Sequence, residues 1–237
     1  FPRVHDVERK LGELELLVVQ DIILTDTAEM AHVVLPAASW AEKESTMVGA
    51  TGIPQTSIRC IPETGTSVPD WKIIRNLARV MQKDLGHGGI EDIRDELQKK
   101  VSFVFDKSAA SPAFNPVEQE MAEPVDEEYP VTMVTGILMQ HSGSLTTLSK
   151  SLGSVVSDAY AQINDQDADR MNIHDEGYIR ISSRRGELLL KARVTDEVPE
   201  GMVFVPAHFP HARVNALTMP STNGVPRISA VKVEPVS

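Results

Sequence analysis

Cysteine is nearly absent from this sequence: Cys60 stands alone among 237 residues. An internal disulfide is excluded, and so is a zinc or iron–sulfur site built from this chain's thiolates alone. A lone thiol fits a cytoplasmic protein, and Cys60 is expected to be a small, half-buried core residue. Long apolar runs are missing too. None approaches the roughly 18 residues needed to span a bilayer, so direct membrane insertion is not expected. Positive charge is in deficit: the net charge of −11 argues against nucleic acid or an anionic membrane as the main partner. The opening Phe1-Pro2-Arg3-Val4-His5 has neither an initiator Met nor the apolar core of a signal peptide, which suggests a piece of a longer chain. The GxGxxG fingerprint, the P-loop and the GxSxG elbow are absent as well. The residues therefore nominate no catalytic group.

What is present suits one large or two small domains with an ordinary apolar fraction. Residues 4–12 read as the end of a helix. Leu14 to Gln20 is a near-continuous apolar run, the pattern of a strand buried on both faces. Thr25-Asp26-Thr27 offers N-caps for a short helix, and His32 to Pro36 reads as a second buried strand. Strand, short helix and strand suggest an α/β layer whose polar loop, Gln20 to Thr27, lies at the carboxyl end of a strand, where ligands usually bind. Residues 42–68 are loop-rich, with a possible strand over Gln55 to Ile61. Pro69-Asp70 opens a helix in which Trp71, Ile73, Ile74, Leu77, Ala78 and Met81 recur at helical spacing, and Ile90 to Val101 forms another. Residues 106–128 are rich in proline and acid and read as a linker with a solvated surface.

Beyond it, strands are expected at Tyr129 to Thr135, Asp158 to Ile163, Tyr178 to Ser183, Leu188 to Val194, Met202 to Pro206 and Arg227 to Val233. Asn164 or Asp165 caps one small helix, with Asp167 suited to its positive start. Arg184-Arg185-Gly186 predicts a hairpin turn with Gly186 at positive φ. About six strands and one helix make a compact barrel. Its richest loop is Gly136 to Thr147, in which small residues and hydroxyls directly after a strand suit an anion. His208 and His211 have a spacing that some metal sites use, but no third ligand is near and Pro210 intervenes, so no metal site is expected. His141 and His174 read as isolated turn histidines. Glu42 and Glu44 are paired acids without a nucleophile beside them.

Val18 to Glu44, with Gln20-Asp21, Thr25-Asp26-Thr27, Val33-Val34-Leu35-Pro36 and Trp40-Ala41-Glu42, resembles the third domain of molybdopterin-dependent oxidoreductases of the dimethylsulfoxide reductase superfamily. Ala161 to Phe209, flanked by Gly136 to Thr147 and by Asn215-Ala216-Leu217-Thr218, resembles that family's molybdopterin-dinucleotide-binding domain. The resemblance implies a partial α/β domain, part of a Rossmann-like fold, over 1–105, the linker over 106–128, and a β-barrel of double-psi type over 129–237. It implies molybdopterin guanine dinucleotide as cofactor if the site is functional. One guanosine would then lie beside Gln20, Asp21 and Thr25. Pterin and pyrophosphate would lie against Gly136, His141, Ser142, Gly143, Thr146, His208, Phe209 and Asn215. Iron–sulfur clusters and the metal-ligating residue would belong to sequence upstream of Phe1.

Several family positions have lost their polar groups. The usual Asn, Glu and Arg after the Trp-x-Glu run are Gly49, Thr51 and Ile53. The Arg of Thr-Gly-Arg is Ile137, and the terminal Pro-Glu-aromatic-Lys is Pro226-Arg227-Ile228-Ser229. A guanidinium's bidentate contacts cannot be replaced by an apolar side chain. The departures favour a scaffold with a vestigial pterin site, as in the large iron–sulfur subunit of NADH:quinone oxidoreductase. The alternative is a cofactor-cradling part of a formate dehydrogenase. Either reading implies other subunits of a redox complex as partners, in the cytoplasm or peripheral to its membrane, and an inactive chain when isolated.

Overall fold

The computed structural model describes residues 4–49, 53–100, 122–219 and 228–236. Thr51, most of the expected linker (106–121) and Pro226-Arg227 lie outside them. The chain divides into two compact units, 8–116 and 117–237, the latter with residues 1–7.

After helix α1 (Val4–Gly12), the first unit begins with strand β1 (Val18–Asp21), helix α2 (Asp26–Glu29) and strand β2 (Val33–Pro36). The strands pair in parallel, Val18 opposite Val33 through Asp21 opposite Pro36. Thr25 caps α2, its hydroxyl accepting from the Ala28 N–H at 3.3 Å, which satisfies one of the free donors of a helix start. The expected β–α–β order is therefore present, but the strand expected over Leu14 to Gln20 is shorter and less buried than its apolar run implies. Leu14 and Leu16 precede the strand, and Val18 and Val33 are 45% and 43% exposed. A two-stranded sheet has too little surface to cover both of its faces.

The loop-rich stretch holds a hairpin, β3 (Ser45–Val48) against β4 (Pro54–Ser57), its mouth tied by the Ser45 and Ser57 hydroxyls at 2.7 Å. Cys60 is exposed rather than half-buried. Helix α3 (Asp70–Val80) starts where Pro69-Asp70 puts it and buries Ile73, and α4 (Ile90–Lys100) follows.

The second unit is a closed barrel of six strands, in line with the strand count expected from the sequence. They are β5 (Val131–Gly136), β6 (Tyr160–Asn164), β7 (Tyr178–Ser183), β8 (Gly186–Thr195), β9 (Met202–Pro206) and β10 (Ser229–Pro235), in the order β10-β5-β9-β6-β8-β7. β5 with β9 and β6 with β8 are parallel, and the other neighbours are antiparallel. Closure leaves no free sheet edge. Period-2 alternation fills the interior: Met133, Ile163, Ile179, Ile181, Val203, Val205 and Val231 are fully buried. A short helix, α5 (Lys150–Gly153), lies between β5 and β6.

Helix α6 (Asp165–Met171) is capped by Asn164, which accepts from the Gln166 N–H at 3.0 Å and donates to the Val198 carbonyl at 2.8 Å. Asp167 reaches beyond its own helix to take the Gly201 N–H at 2.6 Å. Gly201 itself sits at φ +74°, where a side chain would be strained.

Two expectations fail here, one for a turn and one for the acidic run. Gly186 does not have positive φ; it opens β8, and a Cβ there would lie 3.4 Å from the Ala216 carbonyl oxygen. The acidic run is not uniformly solvated. Glu123 is buried, accepts from Arg184 and Arg185 and from the Ala230 N–H, and gives its own N–H to the Ile228 carbonyl at 2.9 Å. Two guanidinium groups supply the partners that let a carboxylate leave water.

Candidate functional site

β5 delivers the chain to Gly136, whose carbonyl accepts from the Ala207 N–H at 2.8 Å. A Cβ on Gly136 would stand 3.1 Å from the Phe204 ring, so this glycine makes room for that ring beside β5. The loop then turns inward. His141 is 1% exposed, which corrects its reading as an isolated turn histidine. Its Nε2 lies 3.1 Å from the Val156 carbonyl oxygen and its Nδ1 lies 3.2 Å from the Thr146 hydroxyl. A carbonyl only accepts, so Nε2 carries the hydrogen. In a neutral ring, Nδ1 and the Gly143 carbonyl, 2.6 Å from the same hydroxyl, then compete for one hydrogen. Gly143 has φ 155° and ψ −179°, a conformation that side chains rarely adopt. It leads into a 3₁₀ turn, Ser144–Leu148. Ser142 is exposed.

β9 delivers the second half of the site. Just past its end, His208 and Phe209 are both buried. The His208 ring centroid lies 4.9 Å from that of His141 and 4.5 Å from that of Phe209, and His141 and Phe209 meet edge-on at 5.4 Å. Neither ring nitrogen of His208 has a hydrogen-bond partner among the described residues. Burial, and then the neighbouring His141, hold the His208 pKa below its ordinary value, so the ring is neutral near pH 7 with one donor and one acceptor unmet. Buried polar groups are rarely left unsatisfied without a ligand, a water or a function to explain them.

The next turns, Pro210–Ala212 and Val214–Ala216, hold Asn215 half-buried, with Arg213 between them at φ 43°. Their end is pinned by Arg185, whose Nε donates to the Leu217 carbonyl at 2.9 Å while its guanidinium grips Glu123. Sequence reasoning misses this clamp because its members lie 62 and 32 residues apart.

The structure thus gathers Gly143, His141, Thr146, His208 and Phe209 into one cluster, with Gly136 and Asn215 on the segments leading into and out of it. Gln20, Asp21 and Thr25 lie in the other unit, at the carboxyl end of β1. The Asp21 carboxylate accepts from the Ile22 N–H at 2.7 Å, and the Gln20 amide donates to Asp70 at 2.6 Å. His211 turns away from His208 and faces Asp158 at 2.6 Å. Among the described residues, no three His, Cys, Asp or Glu side chains could hold a metal ion, and no helix is long and apolar enough to cross a membrane. Glu42 is buried and structural, accepting from the Ser39 N–H at 2.7 Å and the Thr64 hydroxyl at 2.5 Å.

Comparison with known proteins gives this geometry a context. Residues 133–235 match the molydopterin dinucleotide binding domain, and residues 3–80 match the molybdopterin oxidoreductase family. The chain is 33% identical over 275 aligned positions to the F420-dependent formate dehydrogenase subunit alpha of Methanocaldococcus jannaschii, covering 98% of this chain and 40% of that protein. It is 29% identical over 230 positions to an NADH-quinone oxidoreductase subunit of Rhizobium meliloti, covering 92% and 27%. The chain therefore spans about 40% of the length of the formate dehydrogenase relatives it matches. In fold it resembles acetylene hydratase from Pelobacter acetylenicus, with a TM-score of 0.69 at 18% identity over 97% of this chain and 42% of that one. Two stretches of the chain thus match domains of the molybdopterin oxidoreductases: residues 3–80 the molybdopterin oxidoreductase domain and residues 133–235 the molydopterin dinucleotide binding domain.

Proposed function

We propose that this chain is the part of a redox subunit that cradles a pterin dinucleotide, in a molybdenum- or tungsten-dependent oxidoreductase of the formate dehydrogenase type. The observation that carries this reading is His208. A buried neutral imidazole with both nitrogens unmet costs about 1–3 kcal/mol for each unsatisfied group, and a heterocycle with complementary donors and acceptors removes that cost. The group fits the residues present: two buried rings edge the cluster, and an adjoining loop offers hydroxyls and a glycine at an uncommon φ.

In this reading the barrel (129–237) is of double-psi type, supported by its two parallel strand pairs within a closed sheet. Residues 1–105 are part of a Rossmann-like domain, and 106–128 link the two. When bound, the cofactor supplies two-electron chemistry at its metal. The residues of this chain bind and orient it. Within the barrel unit, Ser142, Gly143 and Thr146 face a pyrophosphate and His208 and Asn215 a pterin; within the other unit, taken by itself, Gln20, Asp21 and Thr25 face a nucleoside. Phe209 and the buried ring of His141 keep water from the pterin side. The metal ligand, any iron–sulfur cluster and the substrate pocket belong to polypeptide other than this chain, and other subunits of a cytoplasmic redox complex are its partners. Similarity to a formate dehydrogenase alpha subunit over 98% of the chain supports this assignment.

One observation favours a second reading, a scaffold with a vestigial site as in the large subunit of NADH:quinone oxidoreductase. Ile137 stands 70% exposed where a phosphate-binding Arg would be expected. The two readings part on mutation. In the full-length protein, His208→Ala and Thr146→Ala are expected to lower the pterin content measured after extraction at least several-fold while leaving the fold intact. A scaffold would have no bound pterin to lose.

A further inference from the structure

The geometry points to Asp70 as a positioning residue that fixes which side of the Gln20 amide a ligand meets. This rests on the proposal above that a nucleoside lies at the carboxyl end of β1.

Gln20 is the penultimate residue of β1 and its side chain is exposed at the strand end. Its Nε2 donates to Asp70 Oδ1 at 2.6 Å. The other oxygen of Asp70 takes the Lys43 ammonium. Asp70 is also the first residue of α3, where the helix dipole favours negative charge. An ionised carboxylate accepts and never donates. The Gln20 amide must therefore turn its NH₂ toward Asp70, because the opposite orientation would set its oxygen against the carboxylate. Its Oε1 is held on the far side, and among the described residues no donor meets it. Burial pushes the Asp70 pKa up, but hydrogen bonds from Lys43 and Gln20 outweigh that and hold it below its ordinary value, so the arrangement persists across the neutral range.

A glutamine normally offers a ligand either a donor or an acceptor. Here one choice is removed, and Gln20 is a preset acceptor. The ligand edge it suits carries N–H groups, such as the 2-amino group of guanine. A base that presents only acceptors there gains nothing from it.

The test compares GMP with IMP, which differ only in that 2-amino group, by titration calorimetry on full-length protein freed of cofactor. Wild type is expected to bind GMP about 2- to 12-fold more tightly than IMP, the ratio for one net hydrogen bond of about 0.5–1.5 kcal/mol. Asp70→Asn keeps the shape but can donate to Gln20 Oε1, freeing the amide to turn. The GMP-to-IMP preference should fall to about one or invert, with the melting temperature little changed. Gln20→Leu removes the acceptor without touching Asp70 and should abolish the preference too, and Lys43→Arg should retain it. A preference that survives Asp70→Asn, or equal weakening of both nucleotides, overturns the positioning role. Wild type that binds GMP and IMP equally overturns it while leaving the dinucleotide cradle standing. Wild type that binds neither overturns both.

Discussion

Replacing His208 with leucine separates a residue built for a ligand from one built for the core. Among the described residues the wild-type ring's one N–H and one lone pair are buried without partners, each costing about 1–3 kcal/mol. Leucine carries no polar atom and fills much of the same space. Against that gain stands the loss of ring contacts at 4.9 Å to His141 and 4.5 Å to Phe209, worth about 0.5–1.5 kcal/mol for an aromatic pair. In protein freed of cofactor the net expectation is a stabilisation of about 1–3 kcal/mol. Calorimetry of the full-length protein should show the barrel transition rising by roughly 4 °C or more.

The pH dependence gives an independent readout. The folded pKa of His208 is depressed, so the unfolded chain binds the proton more readily. Stability should fall as pH drops through about 6.5 and level off below the folded value. His208→Leu should flatten that slope. In loaded protein the same substitution should lower pterin content. A leucine variant less stable than wild type without cofactor would refute the reasoning, since His208 would then be a satisfied core residue.

Three further outcomes follow from contacts outside the cluster. Glu123→Gln leaves Arg184 and Arg185 without their charged partner, and should cost about 1.5–3 kcal/mol, the range for hydrogen bonds to charged groups, measured by denaturant unfolding. Burial raises the Glu123 pKa, but hydrogen bonds from Arg185 and the Ala230 N–H outweigh it and hold the pKa low. Its contribution is therefore present above the unfolded carboxylate value of about 4.3 and lost as pH falls through the folded one; acid titration of the Gln variant should lack that step. Asn164→Ala removes the α6 cap and the bond to the Val198 carbonyl, and should cost about 1–3 kcal/mol by the same unfolding assay.

Local chemistry makes much of this fold legible in the sequence. Ile179 and Ile181 alternate with exposed neighbours, so the bounds of β7 can be read directly. Asn164 sits where a cap must, directly before the first turn of α6. Leu14 and Leu16 mislead because an apolar run signals burial without saying what provides it, and within this unit two strands cannot supply enough cover. The loop Gly136 to Thr147 stands out by its small and hydroxylated residues, and the family resemblance adds His208. The sequence cannot reveal that His141 and His208 face each other. That pairing depends on β5 and β9 lying side by side in parallel, with Gly136 opposite Pro206, which happens only once the barrel closes. Glu123 is hidden for the opposite reason: its acidic surroundings read as solvated, and the arginines that bury it come from the β7–β8 turn.

Cofactor cradling requires that the barrel's ligand cluster be occupied in the working protein. Its most direct test is metal analysis and pterin extraction on the full-length protein purified from its native source. We predict molybdenum or tungsten with extractable pterin dinucleotide in stoichiometric amounts. Full-length protein with neither would contradict the claim and leave the scaffold reading in its place.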